Sequence, residues 1–153
     1  VAKSLNIIVV GKLKDAHLEA IEHDYLKRIN NPDIIIHEVK ASAENKEAEG
    51  DVILKKIKDL AQGGSSHIVA MSEWGKKQTS VGFAEWTKIL IEKPSKIFFV
   101  IAGAEGFSDE VLKAAQEKIS LSDLTFPHKI ARILLVEQLY RAQTIRSGHP
   151  YHN

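Results

Sequence analysis

Three short stretches carry residue types suited to binding and group transfer. The first is AGAEG, Ala102 to Gly106. Its glycines let backbone N–H groups approach a ligand and tolerate a positive φ. Glu105 at its apex is a candidate acid, base or cation partner. The spacing is neither a dinucleotide fingerprint nor a phosphate-binding loop with Lys and Ser/Thr, so a plain strand-to-helix turn is the alternative. The second is LSDLTF, Leu121 to Phe126. A loop of this mixed polarity can surround a flat apolar ring and offer it backbone hydrogen bonds, or it can be a simple connector. The third is the terminal HPYH, His149 to His152. Two histidines this close suggest a metal, but no other residue supplies a clear third ligand. An end rich in His and aromatic residues suits contact with a partner subunit or a stacked base; a frayed terminus is the alternative. Trp74, Lys76 and Lys77 could touch a nucleic acid, or be a half-buried indole beside solvated lysines.

Five runs of strand character must position these stretches: Leu5 to Val10, Ile34 to Val39, His67 to Ser72, Lys96 to Ala102 and Ile119 to Leu121. Helical patterns separate them. Asp15 is expected to cap a helix that ends before Asn30-Asn31-Pro32. Further helices are expected over Asp51 to Ala61, closed by Gly63-Gly64, over Ser80 to Glu92, and from Ser108 onward. The polar stretches Ala41 to Gly50 and Glu73 to Thr79 are expected to be loops, the first one mobile. Strands alternating with helices imply a single α/β domain over residues 1–153, with a mostly parallel sheet and helices on both faces. Ligands of such sheets bind beyond the carboxyl ends of the strands. AGAEG and LSDLTF both leave from those ends.

Composition sets the outer limits. The 153 residues are 44% hydrophobic and 27% charged, which is globular rather than disordered. There are no cysteines, so disulfides, thiolate metal sites and cysteine nucleophiles are excluded. No signal segment or long apolar span is evident, so a cytoplasmic protein with no membrane contact is expected. The net charge of +1 advertises no global attraction for nucleic acid. From Ser120 onward, though, Lys129, Arg132, Arg141 and Arg146 face only Asp123 and Glu137, with His128, His149 and His152 beside them. That bias suits an anionic partner or a solvated basic face.

The helix after Pro127 is unusual. Lys129 to Arg146 contains no Gly or Pro, and its apolar residues spread over most of the helical circle. A helix apolar nearly all round is buried on several sides. It is either a central core helix or a subunit interface, and both can hold together.

Four segments match a known family: IIVVGK (Ile7 to Lys12), AGAEG, SLSDLTFPH with EQLYRA (Glu137 to Ala142), and HPYH. With these the chain resembles the small SPOUT-class methyltransferases that modify N3 of a pseudouridine in large-subunit (23S) ribosomal RNA. The resemblance implies a C-terminal trefoil knot, a homodimer and S-adenosylmethionine as methyl donor. It implies that Met71, Gly103 and the loop Leu121, Ser122, Asp123, Leu124, Thr125 and Phe126 hold that donor. Candidates for handling the acceptor's proton are Glu105, His128 and Arg132, with His149, Tyr151 and His152 lent by the other subunit. No metal is implied. The partner is ribosomal RNA on the assembled ribosome or large subunit, since the chain has no room for a separate RNA-reading module. Two departures stand out: Ala102 replaces the first of two family glycines, and the chain ends in Asn153 rather than a basic residue. They leave open a nucleotide- or RNA-binding module without catalysis, and another RNA-base methyltransferase of the same class.

Overall fold

The fold is that of a computed structural model, which describes residues 3–153. Val1 and Ala2 of the expected domain lie outside the described residues. Ten elements alternate: β1 (Leu5–Val10), α1 (Ala16–Arg28), β2 (Ile34–Val39), α2 (Lys46–Ala61), β3 (Ser66–Lys77), α3 (Ser80–Glu92), β4 (Lys96–Ile101), α4 (Asp109–Ala114), β5 (Glu117–Ser120) and α5 (His128–Ser147). The strands form one sheet in the order β2-β1-β4-β3-β5, and every pairing is parallel.

Parallel strands are buried on both faces, and strand side chains alternate between those faces. In β1 and β4, Ile7, Val9, Ile97 and Phe99 point to one side. There they meet Phe83 and Leu90 of α3, Leu135, Val136 and Leu139 of α5, and Tyr25 of α1. Ile8, Val10, Phe98 and Val100 point to the other side, against Ile53 and Ile57 of α2 and Val111 of α4. Helix α5 is therefore a core helix, with Ile133, Leu135, Val136, Leu139 and Ala142 all buried within one chain.

Three local expectations are corrected, each by packing. Residues 46–50 are helix rather than loop. Asn45 caps α2 by accepting from Ala48 N at 3.0 Å. Gly50 reads as a loop glycine, yet a Cβ there would lie 2.2 Å from Ser108 Oγ, so it permits close packing of α2 on the α4 cap. Residues 73–77 belong to β3 rather than to a loop. Both Met71 and Lys76 pair with Ile119, and the residues between them bulge outward. Gly75 is required at the return, because a Cβ would sit 2.5 Å from the Lys118 carbonyl carbon and the Ile119 nitrogen. Finally, β5 begins earlier than its apolar run. Glu117 enters the sheet because His67 Nε2 pairs with one of its oxygens at 2.6 Å and Trp86 Nε1 donates to the other at 2.9 Å.

Candidate active site

The carboxyl ends of β3, β4 and β5 open into a cleft of about 340 Å³. Met71, Ile101, Leu121 and Phe126 give it apolar walls. Ala102, Gly103 and Gly106 form one rim, and Ser122, Leu124 and Thr125 the opposite one. His128 and Ala131, in the first turn of α5, close one end, and Glu73 and Trp74 of the β3 bulge stand at the mouth. A second cleft of about 240 Å³ shares Ser120, Leu121 and Phe126 with the first and reaches Leu134 and Gln138. The loop from Leu121 to Phe126 thus stands between two hollows.

That loop is braced from within and from across. Ser120 Oγ donates to Ser122 O at 2.7 Å, and Leu124 N donates to Ser122 Oγ at 3.0 Å. Thr125 Oγ1 donates to the Glu73 carboxylate, and Lys77 Nζ donates to Asp123. Both cross-links join the loop to the β3 bulge. On the other rim, Gly106 N donates to Gly103 O at 3.1 Å, which closes AGAEG into a turn with Gly106 at φ 84°.

Gly103 also packs on the protein side of the rim. A Cβ there would lie 2.8 Å from Glu49 Oε1 and 3.2 Å from Val10 Cγ1. Its missing side chain therefore lets the rim settle against α2 and β1, on the protein side. Glu49 is 6% exposed; its Oε2 accepts from Ser42 N at 2.9 Å, while Oε1 is buried with no hydrogen-bond partner among the described residues.

The expected donor-binding residues Met71, Gly103, Leu121, Ser122, Leu124, Thr125 and Phe126 all line the cleft. Asp123 does not: it is exposed on the outer side, paired with Lys77. Among the expected catalytic residues, His128 lines the cleft. Glu105 stands exposed at the apex of its loop, outside the lining.

Arg132 is placed where it cannot meet a ligand freely. It is 6% exposed, with Nε and Nη2 donating to the two oxygens of Glu22 at 2.6 and 2.8 Å, and Nη1 donating to Glu38 at 2.8 Å. Burial opposes its charge, but its hydrogen bonds to Glu22 and Glu38 prevail and raise its pKa. It ties α5 to α1 and β2.

The tail residues gather at the far end of α5. Gly148 (φ 75°) ends the helix in the left-handed region, and His149 N donates to Thr144 O at 2.9 Å, so the chain doubles back. Tyr151 then packs edge-on against Tyr140, ring centroids 4.8 Å apart, and its hydroxyl donates to Glu137 at 2.8 Å. Arg141 lies over the Tyr151 ring at 4.8 Å and donates to the Glu137 carboxylate at 2.8 Å. It also donates to His152 Nδ1 at 2.9 Å, which places the proton of a neutral His152 on Nε2. Hydrogen bonding to Glu137 raises the Arg141 pKa. Burial, then hydrogen bonds with Tyr25 and Glu137, hold the Tyr151 phenol well above its usual value, so it stays a donor. His149 remains exposed, its Nδ1 taken by Tyr151 N.

Glu137 and Arg141 are the members of this cluster that sequence reasoning missed. The available signal was an acid and a base four residues apart on an otherwise apolar helix. His128 and Glu137 are nine positions apart on α5, so they lie about 14 Å apart along its axis and on opposite faces. The cleft and the cluster of one chain therefore face different ways. Among the described residues no group of three or more metal-ligating side chains forms, and no helix is long and apolar enough to cross a membrane.

Known proteins bear on this arrangement. Residues 4–152 match a family model described as predicted SPOUT methyltransferase. Relatives named ribosomal RNA large subunit methyltransferase H are similar along nearly their whole length. That of Bacteroides fragilis is 39% identical, covering 96% of this chain and 97% of the relative. That of Bacillus cytotoxicus is 40% identical, covering 97% and 99%. Among solved structures, a probable methylase family protein from Haemophilus influenzae has TM-score 0.59 at 12% identity, covering all of this chain and 72% of that one. The SpoU methyltransferase AviRb from Streptomyces viridochromogenes, solved with AdoMet, has TM-score 0.52 at 9% identity, covering 94% and 59%. These structures are similar in fold; the family rests on the sequence matches. The chain belongs to the SPOUT methyltransferase family.

Proposed function

We propose that the chain transfers a methyl group from S-adenosylmethionine to N3 of a pseudouridine in 23S ribosomal RNA of the large subunit, acting in the cytoplasm as a homodimer. One observation carries this reading. The apolar cleft between AGAEG and LSDLTF stands at the carboxyl edge of the sheet, in a chain that matches rRNA methyltransferases over nearly its full length. The cleft's size falls within the range of about 300–1,000 Å³ usual for small-molecule sites. Its donors fit as well: a flat apolar ring can lie between Met71, Leu121 and Phe126 with backbone groups of both rims at its edges. A C-terminal trefoil knot belongs to the same reading.

S-adenosylmethionine supplies an electrophilic methyl on a sulfonium, so the protein has to position the reactants rather than form a covalent bond. Apolar walls line the cleft, and His128 stands at its end nearest α5. The acceptor nitrogen bears a proton that must leave. Glu137 is suited to take it, because Arg141 and Tyr151 fix its carboxylate in place. Arg141 is suited to stabilise the negative charge left on the ring. Arg132 is withdrawn from this role, since Glu22 and Glu38 occupy its guanidinium. Glu105 stands exposed at its loop apex, where its carboxylate repels phosphate, and His149 is exposed beyond the end of α5.

Within one chain the Glu137 cluster is directed away from the cleft. We therefore assign the working site to two protomers: the cleft of one and the cluster, with Tyr151 and His152, of the other. Specificity rests on the folded ribosomal surface, read through shape and phosphate contacts. The test is transfer of a labelled methyl group from S-adenosylmethionine to ribosomes and large subunits lacking the modification, with the modified atom mapped. Label at N3 of one pseudouridine is expected. No transfer by folded protein would refute the activity, and label on another base would make it a different RNA methyltransferase.

A further inference from the structure

The two tryptophans of this chain have opposite fates. Trp86 is absorbed into the fold, its ring 5.4 Å from Phe83 and 6.0 Å from Phe99, its Nε1 bonded to Glu117. Trp74 is 87% exposed, the most exposed of the large hydrophobic side chains among the described residues. It stands at the mouth of the cleft on the outward bulge of β3.

We infer that Trp74 is a stacking platform for an unpaired base of the substrate RNA, next to the base that is methylated; this rests on the RNA-methylating function proposed above. Four features of the site favour an RNA base. First, the backbone beneath the indole is fixed while the ring is left uncovered. Gly75 is pressed onto the Lys118–Ile119 backbone, and Trp74 N donates to Ser72 Oγ at 3.3 Å. On either side, Glu73 is bonded to Thr125 and Lys77 to Asp123. A rigid platform loses little freedom when a ligand covers it. Second, Leu124 on the facing loop also lines the mouth and is 69% exposed, so two apolar side chains meet water where the acceptor must enter. Third, cations stand beside the platform. Lys76, exposed, and Lys77, paired with Asp123, follow Trp74 on the strand, and Lys12 and Lys129 line a smaller hollow past His128. Glu73, the carboxylate next to Trp74, is turned to Thr125 of the facing loop. Fourth, an aromatic face among cations matches single-stranded RNA, whose bases stack on aromatic rings while its phosphates seek positive charge.

The test compares wild type with Trp74→Ala and Trp74→Phe. The probe is a uridine-rich single-stranded RNA of about twelve nucleotides, within the usual site size. In wild type, quenching of indole fluorescence on titration reports mainly the exposed Trp74, since Trp86 is packed against the core, and fluorescence anisotropy of the dye-labelled RNA gives the affinity of all three proteins. Wild type is expected to quench and saturate, Trp74→Ala to bind about ten- to a hundredfold more weakly, and Trp74→Phe to keep most of the affinity. Light-scattering mass and calorimetric affinity for S-adenosylmethionine are expected to be unchanged in both variants. Absent quenching, or equal affinity in Trp74→Ala, would overturn the assignment. A lowered mass would make Trp74 a seam between protomers instead, and a weakened methyl donor would place the indole on that ligand. Methyl transfer to ribosomes is scored separately. Quenching without transfer would sink the proposed activity and keep the platform. Transfer by Trp74→Ala at the wild-type rate across all ribosome concentrations would sink the platform and keep the activity.

Discussion

Two of the three arginines of helix α5, Arg132 and Arg141, stand nine positions apart, and the protein uses them in opposite ways. Arg132 is buried, and its guanidinium is divided between Glu22 and Glu38. Arg141 is half-buried, paired with one carboxylate from its own helix, and surrounded by the returning tail. Nine positions turn a helix by about half a circle, so the two sit on opposite faces. The first joins helix to strand and has little capacity left for a ligand. The second holds a carboxylate, a phenol and an imidazole at a surface where another chain or an RNA can reach them. The same residue type is thus structural in one setting and suited to chemistry in the other, and burial with partner count is what separates them.

The largest expected effect falls on the second arginine. Arg141→Ala and Glu137→Gln should each lower the rate of methyl transfer by about 10²- to 10⁴-fold, the usual range for losing a positioned proton-transfer group. Melting temperature should change by only a few degrees, because the pair is partly exposed and joins residues of one helix. A rate within twofold of wild type would return the cluster to a purely structural role.

Arg132→Ala should do the reverse. Leaving Glu22 and Glu38 unpaired costs about 3–5 kcal/mol, on the order of 10 °C in Tm for a domain this size. The fraction still folded should transfer methyl groups at a rate close to wild type. Selective loss of activity with unchanged Tm would reverse the two assignments.

A smaller effect is expected at the rim. Gly103→Ala puts a methyl against Glu49 Oε1 and should weaken calorimetric binding of S-adenosylmethionine by about tenfold. Adding Glu49→Ala should recover part of that loss, since the two positions touch. Strict additivity would mean that the glycine serves the ligand directly, as the sequence alone suggests.

The smallest effect concerns pH. Burial, then the charge of Lys56, lowers the pKa of His37, whose Nε2 meets Asn6 at 3.0 Å. Below pH 6.5 the unfolded chain takes up this proton more readily than the folded one, so stability should decline as pH falls through that range. The decline should be reduced in His37→Gln. An identical pH profile for that variant would remove His37 as the cause.

Much of the fold was legible because it rests on long apolar runs and caps. β1 and β4 announce themselves as unbroken hydrophobic segments, and Asp15 and Ser108 cap the helices they precede. What was illegible is where tertiary contact overrides local chemistry. Gly50 and Gly75 look like loop residues, and each is demanded by a backbone or side chain far away in sequence. Glu117 looks too polar for a strand until His67 and Trp86 are beside it. The site divides in the same way. Loops at the carboxyl edge of a parallel sheet could be anticipated, and seven of the eight expected donor-binding residues line the cleft. The fates of Arg132 and Arg141 could not, because each depends on carboxylates and tail residues that only the folded chain brings near.

The central claim is that the cleft of one protomer works with the Arg141 cluster of another. Complementation tests it most directly. Gly103→Leu, which disables the cleft, and Arg141→Ala, which disables the cluster, are co-expressed with different tags, and the mixed dimer is isolated. Each parent variant should be nearly inactive. The mixed dimer should recover one intact composite site of two, about half the wild-type rate per dimer. A mixed dimer as inactive as its parents, or a protein that stays monomeric throughout, would contradict the shared site.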